Sequence, residues 1–290
     1  MSLFKSHLFV QSFPLLALCL LGIAGNVVTI LAIRRSKSLH HKCNFLLAIL
    51  ALADAAVCVT QLLNAAKFMT SRLLFHIPRR LCLLVNWPGV VAVTASSFLI
   101  LLVGIDRYLA VSRGVKYKKL KPRKYVACHC AGLALYVLAV TGAAGYTTWQ
   151  RNDLLPLCYG PRLVAGWGAL VWLLGTVLQN AAVLAVYGAC YARLCRKTAS
   201  SQQDVTTRRV LGTITIVMLV YIATWVASVG LATLVARTLA VQSNEGWLLL
   251  RSWTAFFLVA NSVANPAIYC ARSRDFRAAY ARLLLGKGHH

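Results

Sequence analysis

Seven apolar runs of about twenty residues or more recur along the chain, and little lies between them. They cover Leu8–Ile33, Cys43–Phe68, Leu81–Val111, Tyr125–Thr147, Val164–Leu194, Val210–Val235 and Trp247–Ala271. At about 1.5 Å of rise per residue, a helix of that length crosses about 30 Å of hydrocarbon. With 59% hydrophobic residues and a mean hydropathy of +0.69, the chain lacks the polar surface that a soluble domain of 290 residues needs. The expected fold is an all-α membrane protein, a seven-transmembrane helix bundle. The first run is long for a signal peptide, and its interior Asn26 suits a retained helix.

A net charge of +25 raises the question of nucleic acid, and its distribution answers it. Across seven spans the connections fall alternately into two sets. Arg34–Lys42, Arg107–Lys124, Arg193–Arg209 and Arg272–Lys287 contain 22 of the 31 basic residues. By the positive-inside rule this set is cytoplasmic, which puts the amino terminus outside and the carboxyl terminus inside. The charge then sets topology and meets lipid headgroups, and no nucleic-acid partner is expected. Most of the ten cysteines lie within spans as small hydrophobes. Cys82 and Cys158 fall on the oxidising side, so one disulfide between them is the simplest reading.

Polar residues inside the spans mark candidate sites. Asp54 lies eleven residues into the second run, near mid-bilayer. A carboxylate there must be paired, protonated, or bound to a cation and water. Asn26 needs partners from another helix. In the third run Cys82 and Asp106 are 24 residues apart, about 36 Å of helix, so one tilted helix carries the Cys at one face and the Asp106-Arg107 pair at the other. Trp87-Pro88-Gly89 should bend that helix locally. In the seventh run Asn261, Asn265 and Pro266 make a deformable polar hinge, where the hydrogen bond lost to proline can be replaced by water or a side chain. After it, Ser273–Tyr280 reads as an amphipathic helix on the inner leaflet. The expected division is a receptor domain at 1–272 and this helix with a short tail at 273–290.

Taken in order, Gly25-Asn26, Leu52-Ala53-Asp54, Cys82, Asp106-Arg107-Tyr108, Cys158, Trp225, Asn265-Pro266-Ala267-Ile268-Tyr269 and Phe276-Arg277 resemble the signature set of rhodopsin-like G-protein-coupled receptors. Gly104–Val111, Lys116-Tyr117, Arg123-Lys124-Tyr125, Asn180, Val186-Tyr187, Tyr221 and Ser273–Arg277 look like the nematode SRSX group of serpentine chemoreceptors. The resemblance implies a receptor that binds an extracellular ligand, activates a heterotrimeric G-protein at the plasma membrane and does no covalent chemistry. It implies a coupling and activation switch of Asp106, Arg107, Tyr108, Tyr187, Tyr191, Trp225, Asn265, Pro266 and Tyr269. It also implies a sodium and water pocket of Asn26, Asp54, Ser96, Asn261 and Asn265, with Asp54 the ion's carboxylate. Tyr269 would bridge through water to Tyr187 or Tyr191. Trp225 serves either as a switch under the ligand or as core packing.

Departures narrow the expectation. The seventh run has no Lys, which excludes a retinal Schiff base, and no other cofactor is expected beyond the sodium ion. Gly89 stands where amine receptors carry an Asp. Ala227 stands where the family has a proline after Trp225, and the fifth run lacks its proline too. Thr206-Thr207-Arg208-Arg209 contains no acid to lock Arg107, so the resting state is expected to be weakly held from that side. Lys67, Arg72, Arg79, Arg80, Arg151, Arg162 and Arg251 outnumber Asp153 and Glu245 on the outer face. A solvated rim is the plainer reading of those charges; an acidic small molecule or peptide is the sharper one. The alternatives are a peptide or lipid receptor of the same superfamily and a receptor-like protein that does not couple.

Overall fold

The computed structural model describes residues 2–70, 77–155, 158, 164, 166–200, 205–225 and 244–285. Arg72, Arg162, Lys287 and the sixth run from 226 onward, with Ala227, lie outside the described residues. So do the side chains of Thr206, Thr207, Arg208, Arg209, Glu245 and Arg251.

Each apolar run, so far as its residues are described, becomes a helix. Helix α1 is Ser2–Arg35, α2 Lys42–Thr70, α3 Arg79–Ser112, α5 Pro122–Trp149, α6 Trp167–Ser200, α7 Val205–Trp225 and α8 Asn244–Arg272. Six of these are long and apolar enough to cross a membrane among the described residues, and α7 contributes the shorter apolar stretch Thr215–Trp225. Helix α1 packs on α2 and α8, α3 on α2, α5 and α6, and α7 on α6 and α8. Leu135, Leu138 and Leu178 stand about 70% exposed, the surface that a bundle presents to hydrocarbon.

The turns have local causes. Pro122 opens α5 in the first turn, where its missing N–H would have had no partner anyway. Ser273 alone separates α8 from α9 (Arg274–Leu285), and its Oγ accepts the Phe276 N–H at 3.4 Å as an N-cap. Helix α9 turns Phe276, Ala279 and Tyr280 inward, and the Tyr280 and Thr29 hydroxyls share a 2.6 Å hydrogen bond that ties it to α1. Two elements were not anticipated. A short helix α4, Gly114–Lys118, forms within the basic connection after α3. A two-stranded antiparallel ladder pairs β1 (Ile77–Pro78) with β2 (Leu154–Leu155). At Trp87-Pro88-Gly89, helix α3 runs on without interruption. A Cβ at Gly89 would lie 3.3 Å from the Thr60 Oγ1, so this glycine lets α2 and α3 close on each other.

One end of the bundle is cross-linked. Cys82 and Cys158 form a disulfide, and Ile77, Leu83 and Leu155 pack around it. Beside it the Arg79 guanidinium grips Asp153 through Nε at 2.6 Å and Nη2 at 2.5 Å, and the Arg79 N–H donates to the Asp153 carbonyl at 3.0 Å. Hydrogen bonding from Arg79 holds the Asp153 carboxyl down at about 2. From the middle toward the other end, Leu99, Val183, Tyr187 and Cys190 are buried between α3 and α6. Gly104 makes this approach feasible, because a Cβ there would fall on the Tyr187 ring.

Two outcomes follow from this packing. Gly104→Ala must displace a buried aromatic ring, and overpacking of that kind costs about 1–3 kcal/mol. It should lower the melting temperature of the purified protein, whereas Gly142→Ala, with nothing within 4 Å, should not. The Asp153 carboxyl lies below its unfolded value, so its stabilisation is present above that value and is lost as pH falls toward about 2. Melting profiles of wild type and Asp153→Asn should therefore keep a constant offset from pH 8 to 5 and converge only in strong acid.

Candidate functional site

The polar residues of the second, third and seventh runs meet at mid-bundle. Asp54 of α2 is fully buried. Its Oδ1 accepts hydrogen bonds from the Ser96 hydroxyl at 2.5 Å and the Ser262 hydroxyl at 3.0 Å, and its Oδ2 accepts one from the Asn265 amide at 2.7 Å. Ser262 was missed in the sequence. It sits three residues before Asn265 and so shares its helix face, a spacing that was there to be read. Asn261, expected in this cluster, is one residue further round α8. It accepts a 3.4 Å hydrogen bond from Thr224 and lines a cavity of about 20 Å³ with Ser97, Tyr221 and Trp225.

Asn26 reaches the same layer without touching Asp54. Its amide donates to the Gly22 carbonyl at 2.9 Å and to the Ser262 carbonyl at 3.1 Å. The second bond has a plain cause: Pro266 has no N–H, so the carbonyl four residues earlier, that of Ser262, lacks its helical donor. Asn26 of α1 supplies it. Gly25 permits the approach, since a Cβ there would come within 3.2 Å of the Pro266 ring. The Asn26 Oδ1 is buried and has no hydrogen-bond donor among the described residues.

The second cluster lies about 36 Å of helix from Cys82, at the end opposite the disulfide. Asp106 is fully buried and accepts the Tyr117 hydroxyl at 2.7 Å, with the Arg107 Nη2 at 3.5 Å. Arg107 also turns its Nε to the Cys43 Sγ at 3.1 Å. Cys43, expected to act as a small hydrophobe, is thus an acceptor for this guanidinium. Tyr117 comes from α4, and Lys42 holds that helix: its ammonium donates to the Tyr117 carbonyl and, at 3.1 Å, to the Leu120 carbonyl, and lies 4.1 Å from the Tyr117 ring centroid. Burial, reinforced by the bond to Asp106, pushes the Tyr117 hydroxyl far above its ordinary range.

The aromatic residues are sorted by the same packing. Tyr187 is buried against Gly104, and its hydroxyl donates to the Ile100 carbonyl at 3.3 Å. Tyr191 is 44% exposed, so only Tyr187 faces the core. The Tyr269 ring lies 5.3 Å from that of Phe276, at the joint between α8 and α9. The Arg193 guanidinium stands 6.0 Å from the Tyr108 ring. The Tyr221 hydroxyl donates to the Asn180 Oδ1, joining α6 to α7 above the cavity beside Trp225. At the disulfide end, Lys67 and Arg79, expected on a solvated rim, are both buried. Lys67 donates to the Asn64 Oδ1 at 2.7 Å and the Asn86 Oδ1 at 3.2 Å.

The family model described as serpentine type 7TM GPCR chemoreceptor Srsx matches residues 19–284. The chain is 25% identical to somatostatin receptor type 1 of Rattus norvegicus over 289 residues, 94% of this chain and 71% of that protein. It is 26% identical to sphingosine 1-phosphate receptor 3 of Takifugu rubripes, over 95% of this chain and 71% of the relative. It is 27% identical to adenosine receptor A2b of Bos taurus, over 93% of this chain and 87% of the relative.

The two neighbours on α8 are separable by mutation. Ser262→Ala leaves a buried carboxylate one donor short, at a cost of about 1–3 kcal/mol. Asn261→Ala removes one long bond beside a cavity. The melting temperature of the purified protein should fall clearly more for Ser262→Ala than for Asn261→Ala.

Proposed function

The chain belongs to the serpentine 7TM GPCR chemoreceptor Srsx family, and from that membership we propose a chemosensory receptor of the plasma membrane that activates a heterotrimeric G-protein through Arg107. It is a G-protein-coupled receptor in the same class as its somatostatin, sphingosine 1-phosphate and adenosine relatives. Those relatives name a peptide, a lipid and a nucleoside, so they favour no one ligand class over another. The family description favours a chemical signal met by a sensory cell.

The orientation in this reading has the amino terminus outside. It draws support from the 22 of 31 basic residues gathered on the connections that also bear Arg107, and from a disulfide at the opposite end. The observation that carries the coupling reading is the second cluster. Arg107 is held by Asp106 and Cys43 at the basic end, and α7 offers it no carboxylate, because Val205–Trp225 contains no Asp or Glu. A ligand bound near the disulfide end shifts the population toward an arrangement in which α7 leaves the bundle axis at the basic end. Arg107 then exchanges its partners on α2 and α3 for the G-protein. Tyr187 and Tyr269, on either side of that opening, come to face each other across water. Trp225, beside its small cavity, lies on the path from ligand to switch.

The mid-bundle cluster suits a sodium ion with water. Asp54 provides the charge, and Ser96, Ser262 and Asn26 provide hard oxygen atoms. The buried Asn26 Oδ1, an acceptor with no donor among the described residues, supports this assignment. The ion would neutralise the carboxylate and hold α1, α2, α3 and α8 together in the resting state. Asp54 and Asn265 hold those helices in register, and Pro266 leaves α8 able to hinge.

The test is G-protein activation in cells expressing the wild type and Arg107→Ala, each tagged at the amino terminus, against a panel of small acids, peptides and odorants. The wild type should respond, and the variant should lose at least about 90% of the response at equal surface display, a loss of about 1.4 kcal/mol or more in coupling. A full response from Arg107→Ala would remove this arginine from the mechanism.

A further inference from the structure

Without an acid on α7, something other than an ion pair to Arg107 must hold that helix at the basic end. The contact is on the other neighbour. Arg272, in the last turn of α8, reaches across to α7, where its Nε donates to the Thr213 Oγ1 at 3.4 Å. Its Nη2 lies directly over Gly212, so close that a Cβ at that position would overlap it. Glycine gives the guanidinium a flat seat on the α7 backbone, and Thr213 gives it an acceptor at the next residue. A planar guanidinium can lie against a peptide surface and donate sideways at once; an ammonium cannot.

We propose that Arg272 is a positioning residue for G-protein coupling: seated on Gly212 and bonded to Thr213, it latches α7 to α8 in the resting arrangement. The proposal rests on the coupling reading above only for its signalling consequence. Opening of α7 must lift the guanidinium from its seat, so the latch opposes opening directly. Its placement explains how a chain with no α7 carboxylate still restrains that helix. Among the described side chains this restraint comes from α8, and α8 is the helix that contains Pro266. A bend at Pro266 would therefore move Arg272 and release α7 together.

A competing role is local. A cation in the last turn of a helix also favours that helix's own dipole. If that were all Arg272 did, replacing it would fray α8 and leave α7 untouched. The full-length protein in nanodiscs distinguishes the two roles by amide hydrogen exchange of wild type and Arg272→Gln. The latch predicts faster exchange in peptides from 205–214. Faster exchange confined to 266–273, or no change anywhere, overturns it.

Ligand-independent G-protein activation per surface receptor is the second readout. It should rise roughly threefold to tenfold in Arg272→Gln, the scale of one lost hydrogen bond. Gly212→Ala should raise it as well, by displacing the flexible guanidinium, even though alanine is the better helix former. A Gly212→Ala receptor with wild-type basal activity, in a background where Arg272→Gln is raised, would show that the seat is not needed and would overturn that part. Faster exchange at 205–214 with flat basal signalling in both variants would keep the contact but overturn its role in coupling, whereas the coupling reading itself fails only if Arg107→Ala keeps the full ligand response.

Discussion

The bond from Asn26 to the Ser262 carbonyl is the contact on which the middle of the bundle depends. In hydrocarbon an unpaired backbone carbonyl has no water to turn to. Pro266 creates one in the centre of α8, and Asn26 of α1 answers it. Once that pairing exists, α1 and α8 have one relative height and one relative rotation. Gly25 and the Pro266 ring must dovetail, and Ser262 and Asn265 are aimed at α2, where Asp54 takes both of their side-chain hydrogen bonds. The polar centre therefore orders four helices that apolar packing alone would leave free to slide, because lipid tails are as apolar as the leucines they compete with.

Glycine sets the remaining approaches. Gly104 admits the Tyr187 ring, Gly145 admits the Trp87 ring, and Gly212 admits the Arg272 guanidinium. Each places a bulky or charged side chain of one helix against the bare backbone of another. The Gly145 contact lies at the disulfide end, where Trp87 also packs on the Cys82–Cys158 cluster. The bundle is thus pinned by a covalent bond at one end and by reversible polar contacts at the other. At the end that bears Arg107, Tyr117 and Lys42 bring α4 into the same network.

Much of this was legible in the residues. The seven runs, the asymmetry of basic charge, the Cys82–Cys158 pairing and the amphipathic helix after Ser273 all follow from hydropathy, compartment and periodicity, which act locally or along the chain. Asp54, Ser96 and Asn265 were identified and are brought together. Asn261 was identified and is not among the Asp54 partners; Ser262 is. A helical wheel places both within reach of the Asn265 face, and the register that Asn26 and Pro266 impose chooses between them. Lys67 and Arg79 read as rim charges because a sequence does not show which flank of a helix end is covered. The sulfur of Cys43 as the partner of Arg107 joins residues 64 apart, and no spacing rule reaches that far.

By itself, the sequence determined how many helices span, which end of the bundle carries the positive charge, and which polar residues lie at membrane depth. Those properties depend on the residue and its immediate neighbours in the chain, so they are written in one dimension. Only the tertiary structure decided who meets whom: Tyr187 rather than Tyr191 at the core, Ser262 rather than Asn261 at Asp54, and Arg272 on Gly212. Each of those choices turns on a rotation of a few tens of degrees about a helix axis. That rotation is set by the close approach of a second helix, and no single helix contains the information.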